Sequence, residues 1–327
     1  MTKPFRFGLQ SYAADTPDDW RNQARRAEAM GFGTFSVADH VIGPGPALTA
    51  TNHPIQNVAA IPAMAVAIEA TSTINIGARV FCTDYRQPVM FAKELATLDF
   101  FSEGRLEIGL GAGWLQGEYE AMGVPWDRAG IRLDRMEETL GLVRAHLGDG
   151  QIDVSGEHVN ATGFEGVPKP AKGMPPIMIG GGAQRVLGIA GREADIVSLN
   201  FNNSSGKIGP SGVGSSTAEL TAQKIEWVKA GVSERSDGRG LDAIEIEIGA
   251  YFTVVTDQRE ATLAKMAPMF ALEPEQLAEH PHALIGSVDA ICEQLQSRRD
   301  AYGISYVTFG QSTAEAVAPI VERLAGT

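Results

Sequence analysis

Asp39 and His40 stand side by side where a short run of β-branched, aromatic and small residues, Thr34 to Val37, gives out. A carboxylate beside an imidazole can orient and move a proton, and histidine does so near neutrality because its ordinary pKa is about 6.5. The same pair can also do no more than shape a turn through a local hydrogen bond. The residues that follow, Val41-Ile42-Gly43-Pro44-Gly45-Pro46, form a proline- and glycine-rich loop, so the strand ends on reactive side chains and opens into a rim. His40 is the candidate acid or base.

Gly180-Gly181-Gly182 follows an apolar run and precedes a helical pattern. Main-chain N–H groups at a helix N-terminus favour anions, and glycine allows close approach, although a tight strand-to-helix turn needs glycine anyway. Gln184 and Arg185 can add donors there, and Arg185 also reads as a plain surface charge. Gly111-Ala112-Gly113-Trp114 ends another apolar run, and Trp114 can stack on an unsaturated substrate or simply fill the mouth of the fold. His280 and His282 flank Pro281 without a third ligand at metal spacing, so no metal site is read. His53 and His158 read as ordinary loop residues. No Ser-His-Asp triad or Walker motif is present.

The elements that carry these residues alternate. Strands are expected at Phe5–Leu9, up to Asp39, and at Ile74–Phe81, Arg105–Leu110, Pro175–Ile179, Ala194–Leu199, Ile244–Val255 and Ile304–Phe309. Between them lie helical patterns such as Asp15–Met30, with its Asp15-Thr16-Pro17 cap signal, and Pro88–Phe101, where proline suits the first turn. In the helix Ile131–Leu147, residues Arg132, Asp134, Arg135, Glu137 and Glu138 read as a solvated face with local pairs. Alternation implies a parallel sheet, and eight strand–helix units in this length favour a single (β/α)8 TIM barrel over an open doubly wound sheet. The whole chain, 1–327, is then one domain, with a hairpin insertion near 151–162 and a Gly/Ser/Asn-rich loop near 200–216. In a barrel the strand C-termini share one face, which would collect Asp39-His40, Cys82-Thr83, Gly111–Trp114, Gly180–Gly182, Asn200 and Gly310-Gln311.

Composition narrows the function classes. The 327 residues carry a formal charge of -13, which disfavours non-specific nucleic-acid or membrane binding. Two cysteines, Cys82 and Cys292, give neither a disulfide framework nor a cysteine-rich metal site. Met1 to Phe7 lacks the apolar core of a signal peptide, and no apolar run approaches the ~20 residues that span a bilayer. The expectation is a cytoplasmic protein acting on a small molecule.

Ordered together, the motifs resemble a known family. They are Val37-Ala38-Asp39-His40, Arg86-Gln87-Pro88 with Ala92 to Asp99, and Ser102-Glu103-Gly104-Arg105-Leu106 with Gly109 to Trp114. Pro176 to Gly182 and Leu284-Ile285-Gly286-Ser287 complete the set. In this order along nearly the whole chain they resemble the bacterial luciferase-like flavin and deazaflavin oxidoreductases, whose fold is the same barrel.

The resemblance implies a cofactor, either coenzyme F420, an 8-hydroxy-5-deazaflavin, or FMN. Ala-Asp-His after the second strand and Gly-Ala-Gly-Trp after the fourth are similar to the F420-dependent branch. It implies His40 beside the reactive ring and Asp39 in contact with the cofactor. Gly180, Gly181, Gly182, Gln184 and Arg185 would lie at its phosphate-bearing tail, with Ala78, Arg79, Cys82, Gly111 and Gly113 as further cofactor contacts. A non-prolyl cis peptide is expected between Gly77 and Thr83, aligned best with Ala78-Arg79. Trp114 and Lys207 are the candidate substrate contacts, Lys207 toward an anionic substrate or cofactor tail unless it is merely solvated. The activity implied is hydride transfer to or from a small organic substrate. Relatives that oxidise sugar phosphates place a carboxylate where Trp114 stands, so one acid/base group is missing and reduction is the expected direction. The alternatives are an FMN-dependent monooxygenase fed by a flavin reductase partner, and a non-catalytic flavin-binding protein. Members of the latter kind tend to have lost barrel segments, whereas all eight units are read here. Relatives are often homodimers.

Overall fold

In the computed structural model, residues 3–51 and 53–327 are described. Eight parallel strands close on themselves: β1 Arg6–Ser11, β2 Thr34–Val37, β3 Asn75–Ala78, β4 Leu106–Gly111, β5 Ile177–Gly181, β6 Ile196–Leu199, β7 Glu245–Gly249 and β8 Ile304–Gly310. The ring runs β1-β2-β3-β4-β5-β6-β7-β8 and returns to β1, with Ile76 opposite Leu106 and Leu9 opposite Phe309. This is the TIM barrel that the alternation predicts. A short piece, Phe81–Cys82, continues β3 along β4 beyond a cis peptide at Arg79–Val80, one bond later than the sequence alignment placed it.

Strand period two divides each strand between helix layer and barrel interior. Residues such as Phe7, Leu9, Phe35, Ile76, Ile108, Ile179, Val197 and Val307 face the helices in one continuous core. The amphipathic helix Pro17–Ala29 shows how sequence makes this layer. Thr16 Oγ1 accepts from Asp19 N at 3.0 Å, capping it, while Trp20, Ala24 and Ala27 are buried. Trp20 packs edge-on against Phe35 and donates Nε1–H to Ala63 O at 2.8 Å, so its polar atom is satisfied in the core.

The interior is more polar than branched aliphatics would make it. Near the strand N-termini Arg6 contacts Glu107 at 2.6 Å and Glu245 at 2.6 Å, and Tyr306 donates to Glu107 at 3.0 Å. One layer nearer the C-termini, Arg79 Nε lies 2.8 Å from Glu247. Buried charges must be paired, and these layers pair across the ring.

Three expectations change. The run Ile244–Val255 is two strands: after Gly249 the chain leaves the barrel, and Phe252–Val255 pairs in parallel with Ala283–Gly286. The hairpin extends further than 151–162, pairing Gln151–Ser155 with Asn160–Glu165. The charged face of the helix Ala129–Leu147 is used by the fold: Arg132 is buried, Arg135 holds Asp84, and Glu138 accepts the hairpin-turn N–H groups of Glu157, His158 and Val159. The 200–216 loop is ordered around a short helix, Pro210–Gly214, and Ile208 N donates to Thr51 O across the barrel mouth. No described helix is long and apolar enough to cross a membrane.

Candidate active site

A cavity of about 660 Å³ opens at the C-terminal ends of the strands. The chain just beyond β2 turns there because Gln56 braces it: its side-chain amide donates to Ala38 O at 2.7 Å, and its Oε1 accepts from His40 N at 3.3 Å. His40 thereby lines the cavity. Its Nδ1 lies 2.8 Å from Glu118 Oε2, and Glu118 has no exposed side-chain surface. Glu118 also accepts from Val41 N at 2.6 Å and from the Tyr85 hydroxyl at 2.9 Å. Burial opposes the charge on Glu118, but these hydrogen bonds, His40's first, hold its carboxyl below the usual carboxylate range. An ionised carboxylate can only accept, so Nδ1 of His40 carries a proton and Nε2 is the nitrogen left for a ligand.

His53 was expected to be an ordinary loop residue; the structure places it on the cavity wall, its ring centroid 3.8 Å from that of His40. Its Nδ1 donates to the Pro54 carbonyl at 2.7 Å. Burial, and then the neighbouring His40, push its imidazole down to about 4, so it is neutral at pH 7 with a bare Nε2 lone pair. Trp114 completes the cluster, edge-on to His40 at 5.9 Å and 5.9 Å from His53. A second imidazole, neutral at pH 7, therefore stands beside His40 on the cavity wall.

Asp39 also lines the cavity, but both of its oxygens are engaged from behind. Arg86 grips them at 2.6 and 2.7 Å, and Oδ2 accepts from Cys82 N at 3.0 Å. This bidentate pair fastens the segment after β3 to the end of β2. The Cys82 thiol, beside Tyr119, is pushed by burial up to about 12, so it is no thiolate at neutral pH. Arg79 reaches the cavity with its guanidinium fixed by Glu247 and by the Tyr251 hydroxyl at 3.0 Å.

Beside the glycines, Arg132 donates to Ala112 O at 3.1 Å and to Gly113 O at 3.4 Å. Gly111, Gly113, Gly180, Gly181 and Gly182 all line the cavity. A Cβ on Gly182 would sit 2.4 Å from the main chain of Asn200 and Phe201, and Gly113 has φ +72, so both must be glycine for local reasons. The helix Gln184–Glu193 begins at Ala183, which offers no side-chain cap to its first N–H groups.

Four predicted contacts do not line this cavity. Ala78 is buried in the core, and Gln184 and Lys207 are exposed beyond the lining. Arg185 turns to Asp134, Glu137 and Gly130 O, the surface role that was the plainer reading. Gly310 and Gln311 also stand apart from it. Among the described residues no three metal-ligating side chains cluster; His280 and His282 are buried, donating to Val213 O and Gly249 O. Glu118 escaped sequence reading because it approaches His40 from behind, on a short helix, Gln116–Met122, that no strong periodicity announces.

The arrangement offers main-chain N–H groups at a helix N-terminus and an imidazole whose Nδ1 is fixed. The luciferase-like monooxygenase family model matches residues 1–304. An F420-dependent glucose-6-phosphate dehydrogenase of Nakamurella multipartita is 25% identical over 279 residues, covering 84% of this chain and 76% of that protein. An FMNH(2)-dependent dimethylsulfone monooxygenase of Pseudomonas fluorescens is 30% identical over 139 residues, 42% of this chain and 38% of that one. Among solved structures, the coenzyme F420 dependent tetrahydromethanopterin reductase of Methanopyrus kandleri superposes with a TM-score of 0.74 at 19% identity, covering 98% of both chains. Fold, site and family match agree: the chain belongs to the luciferase-like monooxygenase family.

Proposed function

We propose that the protein is a coenzyme F420-dependent oxidoreductase exchanging hydride with a small organic substrate. The observation that carries this reading is the joint presence, in one cavity, of His40 backed by buried Glu118 and of a glycine wall running into an uncapped helix N-terminus. The residues fit a flavin-type group: the wall offers main-chain N–H groups to an anionic tail, and Gly111 and Gly180 leave room for Val80 on the cavity floor. The Nakamurella relative, which aligns over most of the chain, supports the deazaflavin in particular.

When bound, the deazaflavin supplies a carbon that gives or takes hydride without readily activating oxygen. The chain's own residues do the rest. Glu118 keeps the proton of His40 on Nδ1 and would stabilise the imidazolium formed when Nε2 takes a proton from substrate. Asp39 and Arg86 hold the Cys82 segment in register with β2, and Trp114 walls the proton-handling side from water. Reduction, with His40 returning that proton to the substrate, is the proposed direction, since neutral His53 adds only a lone pair.

The second reading, an FMN-dependent monooxygenase supplied by a flavin reductase, is favoured by the 30% identity to the Pseudomonas enzyme. Oxygen separates the two. The protein with reduced coenzyme F420 bound is expected to stay reduced in air; rapid oxygen consumption by a complex with reduced FMN, and none of the hydride chemistry with F420, would favour the monooxygenase.

A further inference from the structure

The two imidazoles on the cavity wall are fixed in the same sense. Each has its Nδ1 tied to an oxygen that can only accept, Glu118 Oε2 for His40 at 2.8 Å and Pro54 O for His53 at 2.7 Å. Each Nδ1 therefore carries hydrogen, and each Nε2 is left without a protein partner among the described residues. The rings are 3.8 Å apart between centroids, so a single small ligand group can meet both.

Their electrostatic settings differ. His40 has a buried carboxylate behind it. His53 has a neutral carbonyl behind it, His40 beside it and partial burial, all but the carbonyl acting against a second proton. Pairs of titratable groups in contrasting surroundings divide the acid/base labour between them. His53 at neutral pH offers only a lone pair at Nε2.

We propose that His53 is a specificity-determining residue whose Nε2 accepts a hydrogen bond from a hydroxyl group of the substrate. A hydroxyl satisfies this lone pair. A bare carbonyl, ether or nitro oxygen has no hydrogen to give and leaves His53 desolvated and unpaired, a cost that discriminates strongly in buried sites. Trp114, 5.9 Å from each ring, supplies an apolar face for the carbon skeleton bearing that hydroxyl. The inference deepens the proposed function in that it takes this cavity as the substrate site, but it does not depend on which cofactor binds.

The test uses the full chain without cofactor, with phenol and its methyl ether anisole as probes. Ring 15N spectra of labelled histidines are expected to show His53 with hydrogen on Nδ1 and a bare Nε2 at pH 7. Phenol should move the His53 Nε2 resonance toward the hydrogen-bonded range, and anisole should not. His53→Gln and His53→Phe should each weaken phenol binding by roughly tenfold and leave anisole binding unchanged. A His53 bearing hydrogen on Nε2, no phenol-induced shift, or equal responses to phenol and anisole would overturn the assignment. Failure of coenzyme F420 to bind alongside a positive phenol result would instead remove the proposed cofactor and leave the role of His53 standing.

Discussion

Glu118 Oε2 sits 2.8 Å from His40 Nδ1, and its other oxygen takes the main-chain N–H of Val41, the residue after His40. One buried carboxylate thus fixes both the ring and the backbone that carries it. Orientation of a catalytic imidazole by an oxygen behind it is a recurring solution, because the tautomer decides which nitrogen faces substrate.

Replacing that carboxylate tests the relationship. In Glu118→Gln an amide N–H can face His40 Nδ1 and reverse its tautomer while the rest of the site keeps its shape. The hydride-transfer step is expected to slow on the order of 10²-fold with cofactor affinity unchanged. Single-turnover kinetics with a cofactor titration check it; equal losses in affinity and rate would show a collapsed cavity instead. His40→Ala should cost on the order of 10²–10⁴-fold in the same step.

Arg86 and Asp39 form the second fixed relationship. Arg86→Met leaves a carboxylate of 1% side-chain exposure with the Cys82 N–H as its remaining partner. Breaking such a pair from one side costs about 3–5 kcal/mol, and adding Asp39→Asn should restore part of it. Urea denaturation of both single variants and the double variant measures this. Strictly additive losses would mean that the pair does not couple.

Stability should fall in mild acid. His280 is buried and depressed to about 4, and His282 well below its ordinary value, in both cases first by burial. His280 Nδ1 already accepts from His282 N at 3.2 Å, so it has no room for a proton. Below about pH 6.5 the unfolded chain binds protons that the folded chain refuses, so stability declines as pH falls, the share of His280 levelling off below about 4. For His280 alone the loss is on the order of 3 kcal/mol. His280→Gln should flatten the profile of urea midpoint against pH; an unchanged slope would place the acid sensitivity elsewhere.

What was legible in the sequence is what local pattern encodes. β2 ending at Asp39-His40 and the glycine turn after β5 are contiguous signals, and the eight-unit alternation implied that they meet on one face. Glu118 lies 78 positions from His40, and its role depends on a short helix approaching from the rear. His53 lacks any motif of its own and becomes a site residue only because the loop folds back over β2. Arg185 and Lys207 were drawn in by proximity along the chain, but Asp134 holds the first and the second is exposed beyond the cavity. The run after Ile244 is uniformly strand-like, and nothing in it says that Gly249 leaves the barrel to let Phe252 find Ala283.

The central claim, a deazaflavin in the cavity formed by His40 and the glycine wall, is tested most directly by comparative equilibrium titration. The chain would be titrated with oxidised coenzyme F420 and with FMN, following ligand fluorescence, in wild type and in Gly181→Val. A Cβ at that position already lies 2.3 Å from Val186, on the wall assigned to the cofactor. The account predicts tighter binding of coenzyme F420 than of FMN, lost in the glycine variant while His40→Ala binds as wild type does. Tighter binding of FMN, or binding of F420 that His40→Ala abolishes and Gly181→Val spares, would contradict it.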